Sequence, residues 1–181
     1  MIASCRECTA ALLSQPLEPQ IPTEATRPFK RISIDLGCLK GNNYLIGMDR
    51  YSGWPMAAPI LRKANTTTIK AILDEWFADH GIPVSIRTDG GPQFRGPFDE
   101  RCRLNNICHE VSSTYHHESN GQAECAVREV KKLLAKTSMY KDFQQALRNY
   151  RNCPRYNGLS PAQWYFGQQQ PTEVITFPSA Y

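Results

Sequence analysis

No run of eighteen apolar residues occurs in the 181-residue sequence, so no segment could cross a membrane as a helix. The opening Met1-Ile-Ala-Ser-Cys-Arg-Glu-Cys8 lacks the basic stretch and apolar core of a secretory signal, and none is expected. A disulfide framework is missing too. Seven cysteines, an odd number scattered along the chain, point instead to a reducing compartment inside the cell. No internal repeat is visible. Charge of one sign is scarce: the net of +4 permits nucleic-acid binding without demanding it, so the placement of charge matters more than its sum. What is present, 41% hydrophobic residues with three tryptophans, fits one domain with a real core and short arms.

Residues 9–30 hold Pro16, Pro19, Pro22 and Pro28 and little periodicity, which reads as an extended linker, with the domain proper beginning near Phe29. Arg31-Ile-Ser-Ile-Asp-Leu-Gly37 alternates strictly, Ile32, Ile34 and Leu36 on one side and Ser33 and Asp35 on the other, as in a half-buried strand. Strands over 44–48 and 54–60 come next, and the three form an antiparallel meander. Asp49 at the second turn reads as a structural hydrogen-bonding residue. Asn65 or Thr66 caps a helix to about His80, stopped by Gly81 and Pro83. A fourth strand, Val84–Thr88, breaks at Asp89-Gly-Gly. Beyond it lie a helix over 98–105, a strand over 107–111 and a helix over 140–150. Ser160 caps a short helix, Pro161–Phe166, with proline at its first position. The tail from Gln168 is polar and reads as frayed.

The stretch Thr114–Lys136 organises the rest. A polar loop turns into an amphipathic helix at Ser119-Asn120-Gly121-Gln122, with Ser119 or Asn120 as N-cap. Ala123, Val127, Val130 and Leu134 make one apolar stripe. Glu124, Arg128 and Lys131 each stand one residue behind, about 100° round the helix. A carboxylate at the helix start with two cations along the same face suits a metal ligand beside a phosphate track. An ordinary solvated helix carrying a Glu124–Arg128 pair has the same appearance. Likewise Asp89 with its glycines is a ligand position at the end of a sheet strand, or simply a turn. Cys5 and Cys8 supply two of the four ligands a structural zinc needs, and an unmetallated pair is expected.

Taken in order, Ile-Asp-Leu at 34–36, Thr-Asp-Gly-Gly-Pro-Gln-Phe at 88–94 and Tyr-His-His-Glu-Ser-Asn-Gly-Gln-Ala-Glu at 115–124 resemble the catalytic core of retroviral-type integrases. Those of gypsy-type LTR retrotransposons are the most similar. Thirty-four residues lie between Asp89 and Glu124, close to the interval of the family's aspartate–aspartate–glutamate pattern. The segment 152–162 resembles the stretch immediately C-terminal to the core in these elements. The resemblance implies an α/β, RNase H-like fold: a mixed five-stranded sheet, an antiparallel β1-β2-β3 meander plus parallel strands, flanked by helices. It also implies metal-dependent polynucleotidyl transfer, with 3′-end processing and then strand transfer of element DNA into target DNA.

The family's metal ligands fall at Asp35, Asp89 and Glu124, which would hold Mg²⁺ or Mn²⁺, as two ions. Arg128, Lys131, Asn120 and Gln122 would contact DNA, though the two cations fit a solvated helix face equally well. His116 and His117 read as loop structure. The expected partners are element and target DNA and further copies of the chain, in a nuclear setting with no membrane. Residues 1–28 read as the remnant of an N-terminal zinc module plus linker, 29–155 as the core and 156–181 as a C-terminal extension. Cys125 departs from the arginine that relatives often carry after the glutamate. A second reading, from another class, is a domesticated DNA-binding or protein-interaction module with little catalysis left. An RNA–DNA hybrid hydrolase would account for the acids but not for the 115–124 loop.

Overall fold

Nine residues from Arg31 to Leu39 form the central strand, β1, of a five-stranded sheet. The computed structural model describes residues 25–39, 41–61, 63–112, 121–137, 139–155 and 158–171, with Leu39 and residues 121–126 described by backbone alone. Cys5, Cys8, His116, His117 and both candidates for the N-cap of the amphipathic helix, Ser119 and Asn120, lie outside them. β2 (Asn42–Asp49) and β3 (Pro55–Ile60) add to one edge of β1 as the expected antiparallel meander. β4 (Ser85–Thr88) pairs with the other edge in parallel, and β5 (Cys108–Val111) extends it, giving the order β3-β2-β1-β4-β5. The RNase H-like α/β expectation holds.

Helix α1 (Thr66–His80) starts where Asn65 Oδ1 accepts the Thr68 backbone N–H at 2.9 Å. It stops at Gly81, whose φ of 84° favours a residue without Cβ. Where the sequence suggested only a glycine break after Asp89, a short 3₁₀ turn, Pro92–Phe94, seats Phe94 in the core. Helix α2 (Pro97–Leu104) comes next, then α3 (Gly121–Lys136), α4 (Tyr140–Asn152) and α5 (Pro161–Phe166). In α5, Ser160 and Gln163 cap each other reciprocally.

Strand alternation sorts two cores. On one sheet face Ile32, Ile34, Leu45 and Ile86 pack with Ile69, Ile72, Leu73 and Trp76 of α1 and with Phe98 and Cys102 of α2. On the other, Tyr44, Ile46 and Met48 pack with Val127, Val130 and Leu134 of α3 and Phe143 and Leu147 of α4. Fully burying one such side chain stabilises by about 1.5–3 kcal/mol. Helix propensities of ordinary residues span only about 0.7 kcal/mol. Packing, not propensity, therefore holds these helices. Gly47 lets the ring of Trp76 lie on β2, since a Cβ there would come within 2.7 Å of it.

Asp49, expected to be structural, is fully buried, and its carboxylate ties the start of the fold to the turn after β2. Oδ1 accepts the Phe29 N–H at 3.0 Å, and Oδ2 accepts the Ser52 N–H and hydroxyl at 2.9 and 2.5 Å. The expectation of a frayed tail from Gln168 is corrected at its first residues. The Asn152 side chain donates to Gln170 O at 2.6 Å and accepts from Gln170 N at 2.9 Å. An amide has both a donor and an acceptor, which lets one buried side chain fasten an otherwise unpaired backbone.

Candidate active site

β1 alternation directs Ser33, Asp35 and Gly37 to the face that α3 covers. At Gly37 a Cβ would sit 2.8 Å from Ile46 Cδ1 and 3.6 Å from Leu134 Cδ2 of α3, so the helix crosses close above this part of the strand. Asp35, two residues earlier on the same face, meets α3 directly: Lys131 Nζ donates to its Oδ2 at 2.6 Å. Its Oδ1 accepts the Leu36 N–H at 2.7 Å. Both members of the pair are partly open, at 31% for Asp35 and 38% for Lys131, so solvent and other ions can reach them.

β1 and β4 run parallel with Ile32 beside Ile86 and Ser33 beside Arg87. Asp35 and Asp89 each lie two residues past that last pair, toward the same end of the two strands. Asp89 is exposed just beyond β4, where its Oδ1 accepts the Gly91 N–H at 3.1 Å. Parallel strands expose their C-terminal ends together, and ligand sites of open α/β sheets form there. Asp35, within β1, and Asp89, one residue past β4, are thus carried toward the same end of two adjacent parallel strands.

Residue 124 lies seven positions before Lys131 in α3, two helical turns away and on the same helical face. The side chains of Glu124 and Gln122 lie outside the described residues, as does the whole of Asn120. Arg128 is exposed on the same helix. Hence the face of α3 that presents Lys131 to Asp35 also bears position 124.

Carboxylates gathered this way are hard oxygen donors suited to a divalent cation. A cation already sits on one of them, the Lys131 ammonium on Asp35 Oδ2, so the donor set fits a positive ion. Among the described residues no group of three or more His, Cys, Asp or Glu forms a complete metal cage. Thiol chemistry is disfavoured at Cys102, where burial pushes the thiol up to about 11.

Sequence reasoning missed two polar networks that flank these acids. Glu110 of β5 reaches across β4 to Arg31 at the start of β1, at 3.0 Å, and to Arg50 just past β2, at 3.2 Å. Burial lowers the proton affinity of Arg50, and Glu110 counters it. On the opposite face the Thr88 hydroxyl, one residue before Asp89, donates to Asp89 O at 2.8 Å and lies 2.8 Å from His109 Nε2. His109 Nδ1 in turn lies 2.5 Å from Asp99 Oδ1. Strand geometry over Cys108–Val111 was the available signal, since successive residues of a strand face opposite sides and so separate His109 from Glu110. It did not name their partners.

No family model matches the chain. It is 33% identical over 180 residues to an uncharacterized protein of Caenorhabditis elegans, covering 94% of this chain and 14% of the relative. Over 197 residues it is 28% identical to the Gag-Pol polyprotein of feline leukemia virus, covering 98% of this chain and 12% of the polyprotein. The Gag-Pol polyprotein of baboon endogenous virus is 30% identical over 166 residues, covering 84% and 10%. The chain therefore spans about a tenth to a seventh of the length of these relatives.

Among solved structures it resembles the catalytic core domain of BIV integrase, with a TM-score of 0.64 and 16% identity, covering 77% of this chain and 95% of that one. It also resembles a chain of the simian T-cell lymphotropic virus intasome, with a TM-score of 0.68 and 20% identity, covering 99% and 69%. At these identities the two structures establish the shared fold.

Proposed function

This chain belongs to the retroviral-type integrase catalytic cores, and on that premise we propose that it performs metal-dependent polynucleotidyl transfer on DNA ends. The observation that carries the proposal is the meeting of Asp35 with Lys131 of α3, on the strand that runs parallel to the one ending just before Asp89. In this reading Asp35, Asp89 and Glu124 hold divalent metal, Mg²⁺ or Mn²⁺, and two ions suit the reaction. When bound, such ions activate the attacking oxygen and stabilise the leaving one in an in-line displacement at phosphorus.

The chain's own residues then have separate tasks. Asp35 is positioned by β1 and by its own turn to the Leu36 N–H. Asp89 is presented by the edge where β4 ends. Lys131, whose ammonium donates to Asp35 Oδ2, would be placed to take a DNA phosphate beside the carboxylates that would hold the metal. Arg128, one turn earlier, extends the cationic track, and Asn120 and Gln122 would reach the DNA end from the loop. Phosphate contacts of this kind fix orientation without reading sequence.

An intasome relative supports DNA and further copies of the chain as partners. Free thiols at Cys38, Cys102, Cys108 and Cys153 support a reducing setting, and chromosomal target DNA would place the reaction in the nucleus. Residues 1–28, 29–155 and 156–181 are proposed as zinc-module remnant, catalytic core and extension, with Cys5 and Cys8 not expected to hold zinc alone.

The test is joining on a branched DNA that mimics the integration product, with Mg²⁺ or Mn²⁺, for the wild type and for Asp35→Asn, Asp89→Asn and Glu124→Gln. Metal-dependent products that vanish in all three variants are expected. A folded wild type that binds DNA but makes no product would overturn the catalytic reading in favour of a binding module.

A further inference from the structure

Asp89 stands at a poorly constrained point of the chain. It comes directly after the last paired residue of β4, Thr88 opposite Val111, and precedes Gly90 and Gly91. Two glycines give the backbone wide freedom, so the direction of an exposed carboxylate there depends on what holds its own peptide. Three contacts fix it among the described residues. Ser112 N donates to Thr88 O at 2.8 Å, Gly91 N to Asp89 Oδ1 at 3.1 Å, and the Thr88 hydroxyl to Asp89 O at 2.8 Å.

The hydroxyl contact is itself supported from beneath the sheet. Thr88 is 2% exposed and the His109 side chain 7%, with the imidazole 5.0 Å from the ring of Phe98 in an edge arrangement. The Thr88 oxygen also lies 2.8 Å from His109 Nε2, so the ring and the hydroxyl share a hydrogen bond. The other ring nitrogen faces the Asp99 carboxylate at 2.5 Å. Asp99, half exposed at the start of α2, thus orients His109, which orients the Thr88 hydroxyl, which holds the Asp89 carbonyl. A buried chain in which every member is satisfied has one low-energy arrangement.

We propose that His109 and Thr88 are positioning residues for Asp89, a relay from Asp99 through the sheet that aims the Asp89 carboxylate at its metal ion. The inference rests on the proposed metal role of Asp89 and adds the residues that enforce it. Outer hydrogen-bond partners of metal ligands change metal affinity by about 10–100-fold when removed, and action through the backbone suits the lower end, about tenfold.

The experiment is a Mg²⁺ titration of the full chain tracked by the amide NMR shifts of Gly90 and Gly91, with folding checked by circular dichroism. Asp89→Asn should abolish the saturable shift. Thr88→Val, which keeps the shape and removes the hydroxyl, should raise the midpoint about tenfold. Thr88→Ser, which restores the hydroxyl, should return it to the wild-type value. A folded Thr88→Val protein with the wild-type midpoint overturns the relay while leaving the metal reading intact. A wild-type midpoint in Asp89→Asn overturns the metal reading itself, and the relay with it. Should Thr88→Val not fold, the pair His109→Gln and His109→Leu decides. The glutamine amide can still donate to Thr88 and should stay nearer the wild-type midpoint. Equal midpoints for the two overturn the proposal.

Discussion

Replacing Lys131 by methionine removes one ammonium and keeps most of the side chain's apolar length. Its partner Asp35 lies 2.6 Å away, yet the two side chains are 38% and 31% exposed. Ion pairs this open contribute about 0–1 kcal/mol, so Lys131→Met should lower the urea-unfolding free energy by no more than about 1 kcal/mol. The larger effect is on DNA. A phosphate contact contributes about −0.9 to the slope of log affinity against log salt for duplex DNA. Over a fourfold salt range, about 50 to 200 mM, losing one such contact reduces the salt-induced loss of affinity by about 3.5-fold. Fluorescence anisotropy with a labelled branched duplex at three salt concentrations measures this directly. The Mg²⁺ midpoint should move down rather than up, because the ion no longer displaces an ammonium from Asp35. An unchanged salt slope would refute the assignment of Lys131 to a phosphate. A stability loss well above about 1 kcal/mol would mark the pair as structural instead.

Two further substitutions test the frame that carries the site. Gly47→Ala would force a Cβ to 2.7 Å from Trp76 and 3.0 Å from Met56. Overpacking of this kind costs about 1–3 kcal/mol, read as a lower urea midpoint with unchanged slope, and a neutral result would mean that the Trp76 ring slides freely on β2. At Asp49, burial holds the carboxyl above its ordinary value of 3.8, against the lowering hydrogen bonds from Ser52 and Phe29. The folded state therefore binds this proton more tightly than the unfolded chain does. Stability of the wild type relative to Asp49→Asn should rise as pH falls from the raised value toward 3.8 and stay level above that window. A relative stability that falls on acidification would show that the hydrogen bonds outweigh the burial.

Local order was legible in the residues themselves. The strict alternation of Arg31–Gly37 announced β1, and Asn65, Gly81 and Ser160 marked helix ends that the structure reproduces. These signals work because strand alternation and helix capping act among residues only a few positions apart. The run to Asn152 in α4 and the anchoring of Gln170 escaped notice, since the Asn152 amide is satisfied by a partner eighteen residues away. Asp35 and Asp89 were legible as acids at strand positions because ordered motifs around them resembled a known family.

Which segments alternate, where helices start and stop, and which residues could bear metal chemistry can all be read along the chain. Their partners cannot be read there, because they depend on how the elements stack. Placing β4 between β1 and β5 carried Asp89 toward the same end of the sheet as Asp35, let Glu110 reach Arg31 and Arg50, and put His109 under Thr88. Laying α3 across β1 joined Lys131 to Asp35, ninety-six residues apart. A contact between distant residues depends on how whole elements stack to bury their apolar faces, and no window of neighbouring residues contains that choice.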